Sequence, residues 1–362
     1  MNFVFKNKKI SGIALILPEI ERSFVEDMKM FNANEKRSLR LAQVMGYDKH
    51  RIAPENISAS DMVEYGFKQL FELRYLNKDE IDALIYITAS PDYFLPPTSR
   101  ILHGNLNLKQ ETFCIDITQG CAAFEEGLIQ AFLLLDQPSI NKVALVTADV
   151  LSHKVSKRDR NSYPLTGDAA SITIIEKTEK ENDINAVILN DGTRAMALKI
   201  PAGGFKLPSS PETAIYHFDE EGNERSLDNL VMDGTAVFNF VMQDVPPMLF
   251  NLFNSANVSK DCVDWFLFHQ PNRFMLQKLA EKLEVPYEKM PSNVVEKYGN
   301  SSGTTVPAVS VLTFEGKKMP ARQKVCFSGF GVGLTWAAVI MDMFPLDFCK
   351  TIDMKGLSSS CI

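Results

Sequence analysis

The chain has 362 residues, 45% hydrophobic and 23% charged, ordinary globular usage that excludes a disordered or fibrous protein and allows about two domains at roughly 150 residues each. Thirty-eight lysines and arginines stand against 45 acidic residues, a net charge of −7, which speaks against a protein that grips nucleic-acid phosphates. Six cysteines, Cys114, Cys121, Cys262, Cys326, Cys349 and Cys361, form no CxxC pair or Cys/His cluster, so neither a disulfide framework nor a metal site is expected.

Along the chain, the apolar run 10–17 follows Lys6, Lys8 and Lys9 and superficially resembles an export signal. It is short, contains Ser11 and Gly12, and stops at Pro18-Glu19 without a small-residue cleavage site, so it reads as a first strand. Ser58 opens a helix running to Leu73 with Met62, Tyr65, Phe67, Leu70 and Phe71 on its apolar side. Strands are predicted at 83–88 (ALIYIT), 112–117, 142–147, 170–175, 265–268 (WFLF) and 324–328, and helices at 122–135, 274–283 and 306–314. That alternation is the pattern of an α/β protein. Residues 176–190 form a charged connection leading into a strand, and 201–230, rich in Pro, Gly, Ser and charge, read as an excursion from the core. Nothing approaches ~18 consecutive apolar residues, so a cytoplasmic protein without a membrane partner is expected.

A weak internal repeat is present. The same step separates Asp82 from Asp264 and Lys142 from Lys324, each opening a hydrophobic strand. Cys121 and Asn300 then sit at matching junctions, each read as the link from a strand-like run to a helix. Symmetric packing of two such halves would bring both side chains to one central site.

Three residues could carry chemistry. Cys121 lies where a strand gives way to a helix, and a helix N-terminus favours the thiolate. Read alone, it could equally be a buried structural cysteine, the reading kept for Cys114. His269 ends the 265–268 strand, the end at which α/β proteins place reactive groups. Asn300, in Gly-Asn-Ser-Ser, is turn chemistry when read alone. The stretch Gly329-Phe330-Gly331-Val332-Gly333 is GxGxG rather than GxGxxG and precedes a strand-like segment, so it suits backbone donors to an oxyanion better than a dinucleotide.

Together, in this order, these features resemble the 3-oxoacyl-(acyl-carrier-protein) synthase III family of the thiolase superfamily. The likeness spans about residues 10–345. It includes Pro91-Asp92-Tyr93, the Cys121 segment, Asp159-Arg160, Gly167-Asp168, Pro201-Ala202-Gly203-Gly204, Met232-Asp233-Gly234, His269-Gln270-Pro271-Asn272, Gly299-Asn300-Ser301 and the segment 329–336. The resemblance implies a thiolase-like fold, two similar α/β halves packed as a five-layer αβαβα sandwich. The halves would span 1–180, carrying the nucleophilic Cys, and 181–345, carrying His and Asn, with 346–362 as a tail. It implies a decarboxylating Claisen condensation in which Cys121 carries the acyl group and its backbone N–H, with that of Val332, holds the oxyanion. His269 and Asn300 would donate to the thioester oxygen of malonyl-acyl carrier protein. No cofactor or metal is implied, and the partners are acyl carrier protein, acyl thioesters and a second copy of the chain in a homodimer.

The chain departs from the family in places. Its 41–47 segment (LAQVMGY) lacks the Trp and Arg that flank the adenine of coenzyme A, and Arg273 lies one place early in the HQxNxR pattern. The primer could therefore arrive on coenzyme A or on carrier protein. A carrier-binding surface should be basic; the candidates are Lys157, Arg158, Arg160 and Arg273, near His153-Lys154, with Lys278 and Lys282 on the helix after His269. Two other functions stay open. One is an acyltransferase that passes the Cys-bound acyl group to a hydroxyl or amine without decarboxylation, and the other is a non-catalytic partner subunit.

Overall fold

The structure is a computed structural model that describes residues 1–30 and 35–355. Its principal strands are β1 (Asn2–Lys6), β2 (Lys8–Leu17), β3 (Ala83–Thr88), β4 (Phe113–Thr118), β5 (Lys142–Asp149), β6 (Ala169–Lys177), β7 (Asp183–Asn190), β8 (Trp265–Phe268), β9 (Gln323–Gly331), β10 (Thr335–Met343) and β11 (Phe348–Asp353). The helices that concern the site are α1 (Glu35–Met45), α2 (Ala59–Glu72), α3 (Thr98–Asn105), α4 (Ala123–Leu135), α5 (Gly234–Ala256), α6 (Arg273–Leu283) and α7 (Thr305–Phe314). Ser58 caps α2 as expected, its hydroxyl accepting from the Asp61 N–H in a capping box.

Two sheets result. The first has the order β11-β2-β6-β5-β3-β4 and the second β1-β7-β10-β9-β8. Their central strands, such as β3, β5 and β10, are buried on both faces, which is why they read as continuous apolar runs rather than alternating ones. Between the sheets lie α4 and α7, sharing one apolar core with Leu145 of the first sheet and Phe327 of the second. Every residue of α7, the helix expected at 306–314, is buried except Leu312, so it has no polar face. Outside the first sheet α2 and α3 bury Met62, Phe67, Leu70 and Leu102. Outside the second, α5 and α6 bury Phe240, Leu249, Leu276 and Leu279. The layers are therefore α, β, α, β, α.

The internal repeat has a structural counterpart. The parallel pair Ala83↔Val143 in the first sheet recurs as Trp265↔Val325 in the second. Three expectations need correction. The run before Gly299 is a short helix, Val294–Tyr298, not a strand. Residues 346–362 are not simply a polar tail, because β11 pairs parallel with β2 and the Phe348 ring covers Gly12, where any Cβ would collide with it. Residues 356–362, including Cys361, lie outside the described residues. The boundaries at 180/181 and 345/346 are also crossed, since β1 pairs with β7 of the second sheet and β11 with β2 of the first. The 201–230 segment holds only the small pair His217–Phe218 with Glu224–Arg225 and leaves Phe205 and Phe218 exposed. Among the described residues no helix is long and apolar enough to cross a membrane.

Candidate active site

Cys121 follows β4 in a tight turn that begins α4, the Ala123 N–H donating to the Gly120 carbonyl at 2.8 Å. The glycine loop after β9 presses directly on it. A Cβ at Gly331 would lie 2.5 Å from the Cys121 sulfur, and one at Gly120 would lie 2.6 Å from Val332 Cγ1. Only glycine permits this approach. The backbone N–H groups of Val332 and of Cys121 itself interact with the sulfur and favour its thiolate, as does the Ser302 hydroxyl.

Burial is the larger effect, however, and the thiol's pKa is raised, with the nearby Asp149 carboxyl pushing the same way. This corrects the expectation of a thiol lowered by the helix terminus. Desolvation of the charged form outweighs the donors around it. The resting group is a thiol.

His269 ends β8, its N–H donating to the Ser328 carbonyl at 2.8 Å, and its ring stands edge-on to Phe330 at 5.7 Å. Burial pushes the imidazole down to about 3, so it is neutral. Its Nδ1 lies 2.7 Å from the Thr305 hydroxyl, which also accepts from the Gln270 N–H (3.2 Å) and lies 2.9 Å from the Ser302 carbonyl. That hydroxyl has a single proton. Given to Nδ1, it leaves the ring proton on Nε2; given to the Ser302 carbonyl, it leaves Nε2 bare.

Asn300 is clamped through its backbone: its N–H donates to the Leu165 carbonyl (2.7 Å) and its carbonyl accepts from the Gly167 N–H (3.1 Å). Its side-chain Oδ1 accepts from the Ser302 N–H at 2.9 Å. The amide is thereby oriented with Nδ2 left to donate. Next to it, Asp168 explains the Gly-Asp motif: buried, it accepts from the Ala53 N–H (2.8 Å), the Ser152 N–H (3.0 Å) and the Ser152 hydroxyl (2.5 Å), tying three loops together.

Two cavities meet at Cys121. The smaller, about 220 Å³, is apolar, lined by Leu151, Val155, Leu165, Ile200, Leu230 and Val332 among others. The larger, about 740 Å³, contains His269, Asn300, Phe330 and Gly331. Its rim carries Leu41, Met45 and Tyr47 from α1 and the following loop, Phe274 from α6, and Arg160, Asp219, Glu221 and Arg225. Cys121 and Asn300 line both cavities; His269 lines only the larger.

The basic candidates are dispersed and engaged. Arg158 pairs with Glu224 (2.8 Å), Arg160 donates to the Glu221 carbonyl (2.6 Å), Lys157 lies 3.9 Å from Glu55, and Arg273 pairs with Glu296. Lys278 pairs with Glu281 and Lys282 donates to the Met242 carbonyl. Only Arg160 reaches the rim of the larger cavity. Sequence reading missed Ser302, Thr305 and Asp149. Asp149 is buried and accepts from the Ala89 N–H (2.7 Å) and the Thr88 hydroxyl (3.1 Å), and burial pushes it up to about 7. Among the described residues no group of three His, Cys, Asp or Glu side chains is placed to hold a metal ion.

Comparison with known proteins agrees with this architecture. Residues 115–193 match the family model for 3-oxoacyl-[acyl-carrier-protein] synthase III, and 253–343 match its C-terminal model. The chain is 31% identical over 346 residues to a Campylobacter jejuni protein named as a 3-oxoacyl-[acyl-carrier-protein] synthase 3, covering 94% of this chain and 96% of that one. It belongs to the 3-oxoacyl-[acyl-carrier-protein] synthase III family. A beta-ketoacyl-[acyl-carrier-protein] synthase III of Phocaeicola vulgatus is 29% identical over 92% of this chain and 96% of its own. The crystal structure of a 3-oxoacyl-(acyl-carrier protein) synthase from Burkholderia xenovorans superposes with a TM-score of 0.90 at 29% identity, covering 98% of this chain and 99% of that one. The synthase III fold thus extends through both sheets, including the exchanged terminal strands.

Proposed function

We propose that the protein condenses a Cys121-bound acyl group with malonyl-acyl carrier protein, releasing carbon dioxide and forming 3-oxoacyl-acyl carrier protein. The observation that carries this reading is the position of the Cys121 sulfur between an apolar cavity and a second cavity that holds His269 and Asn300. The acyl chain occupies the first; the thioester carbonyls react in the second.

In the first half-reaction the Cys121 sulfur attacks an acyl thioester, and its proton leaves with the departing thiol. The N–H groups of Cys121 and Val332, already interacting with the sulfur, hold the oxyanion. In the second, malonyl thioester loses carbon dioxide and the freed electron pair moves into an enolate. Asn300 Nδ2 and His269 Nε2 donate to its oxygen, which requires the tautomer in which Thr305 donates to Nδ1. The enolate carbon attacks the acyl carbonyl, and the Cys121 thiolate departs and is reprotonated. A donor of this kind is worth about 10²–10³ in rate.

No cofactor enters this chemistry; both substrates carry their own activation as thioesters. Acyl carrier protein is the partner, and with carrier-bound substrates the reaction belongs in the cytoplasm. The primer's carrier, coenzyme A or carrier protein, follows from the rim: α1 presents Leu41 and Met45 there, an apolar surface without an adenine sandwich, which favours the carrier protein. A homodimer fits the edge of the first sheet, where among the described residues β4 is unpaired on one side and exposes Phe113, and Tyr93, Phe94, Leu95 and Phe205 are further exposed apolar side chains.

The test is intact-mass spectrometry after exposure to a panel of acyl-coenzyme A and acyl-carrier thioesters, followed by addition of malonyl-acyl carrier protein. An acyl adduct on Cys121 and release of carbon dioxide are expected. Transfer of the adduct to a hydroxyl or amine without carbon dioxide would make the protein an acyltransferase of another kind.

A further inference from the structure

Behind Asn300 lies a buried ionic chain that the condensation mechanism does not touch. His50 and Asp27 are 1% and 0% exposed, and His50 Nε2 lies 2.6 Å from Asp27 Oδ2. Asp27 Oδ1 accepts from Arg22 through Nε at 2.8 Å and through the terminal nitrogen at 2.7 Å. The other ring nitrogen of His50, Nδ1, lies 2.6 Å from the Thr166 carbonyl. A carbonyl oxygen only accepts, so Nδ1 donates to Thr166, while the Asp27 carboxyl group held by Arg22 faces the other ring nitrogen. The Tyr163 ring stands edge-on to it at 5.5 Å.

Thr166 is the residue that bridges Asn300. The two segments cross so closely that a Cβ at Gly299, whose φ is +78°, would lie 2.8 Å from the Gly167 nitrogen and 2.9 Å from His50 Cβ. The Leu165 carbonyl and the Gly167 N–H, on either side of Thr166, hold the backbone of Asn300. One carbonyl, gripped by the buried His50 ring, therefore sets the platform on which Asn300 stands. A buried ion pair is an expensive way to stabilise a core, and fixing a register is its best-attested use.

We propose that Arg22, Asp27 and His50 are positioning residues for Asn300, acting through the Thr166 carbonyl, and that they serve the decarboxylation half-reaction rather than acylation of Cys121. The inference rests on the condensation reading above. Acylation needs the Cys121 and Val332 N–H groups, which β4, α4 and β9 hold independently of this chain. Decarboxylation needs the Asn300 amide.

Isosteric variants separate the two contacts of the ring. His50→Asn places an amide N–H where Nδ1 stands and keeps the Thr166 contact; His50→Gln places one where Nε2 stands and keeps only Asp27. Both are measured as full-length protein for Cys121 acylation rate by mass spectrometry and for carbon dioxide release from malonyl-acyl carrier protein by the preacylated enzyme. The expected result is a fall of about tenfold or more in carbon dioxide release for His50→Gln and less than threefold for His50→Asn, with acylation within twofold of the parent in both. Asp27→Asn, which preserves packing and lets the ring keep its Nδ1 proton on the Thr166 carbonyl, should stay within threefold like His50→Asn, and a loss of tenfold or more in it would overturn the route through Thr166. Equal losses in both half-reactions, or unchanged carbon dioxide release in His50→Gln, would overturn the proposal. A parent enzyme that acylates but releases no carbon dioxide would instead overturn the condensation reading itself.

Discussion

The two cavities that share Cys121 are built on opposite principles. The smaller is walled mainly by aliphatic side chains such as Leu151, Ile200 and Leu230. The larger is lined by the neutral His269 imidazole and the Asn300 carboxamide together with charged residues such as Arg160, Asp219 and Glu221. An apolar cavity selects by volume and recognises no particular atom, whereas a polar one selects by where its donors point. The difference teaches that chain length and reaction type are set in separate places, so each can be altered without the other.

The largest effect should come from the sulfur at which both cavities meet. Cys121→Ala is expected to abolish the acyl adduct and lower product formation by at least about 10³-fold, read by intact mass and by 3-oxoacyl product. Asn300→Ala should lower carbon dioxide release by about 10²–10³-fold while leaving the rate of Cys121 acylation within a few-fold. Equal loss in both steps would break the division between cavities. Thr305→Val removes the hydroxyl proton that fixes the His269 tautomer, and a fall of about tenfold in carbon dioxide release is expected, with the iodoacetamide reaction of Cys121 unchanged.

On the apolar side, Leu230→Trp should shrink the smaller cavity. The longest accepted primer should then lose about tenfold or more in kcat/KM against the shortest, since one methylene alone can decide that much. The smallest effect concerns Glu125, which lies in neither cavity. It is buried, both its carboxyl oxygens lack a hydrogen-bond partner among the described residues, and burial pushes it up to about 8. Between the usual carboxylate range near 4.5 and about 8 the folded state holds a proton that the unfolded chain has released, so this group makes stability fall as pH rises through that window. Glu125→Gln should therefore raise Tm by several degrees at pH 8 and by less at pH 5, measured by thermal unfolding.

Much of this was legible in the residues. Strands buried on both faces announced themselves as ALIYIT and WFLF, and the paired steps from Asp82 to Asp264 and from Lys142 to Lys324 correspond to equivalent strands in the two sheets. Cys121, His269 and Asn300 stood out only together, by their order along the chain with the glycine loop after them. What stayed hidden depends on partners far away in sequence. Nothing local marks Asp27 or His50, whose roles come from Thr166 and Arg22. Thr305 reads as the first residue of a buried helix until His269 is placed beside it. The strand at the C-terminal end, FCKTID, is an edge strand with a lysine and an aspartate, and it carries too little apolar pattern to declare itself. The direction of the thiol pKa was also illegible, because it balances desolvation against donors contributed by the other half of the molecule.

The swap of β1 and β11 between sheets has a consequence for how the polypeptide acquires its shape. A nascent chain emerging from the ribosome cannot finish its first sheet until the segment after Phe344 has been made, while the second sheet waits with its outermost partner already synthesised. The groove beside β2, with Gly12 awaiting the Phe348 ring, stays open until then. The first sheet is thereby completed only by residues 348–353, long after its other strands have been made.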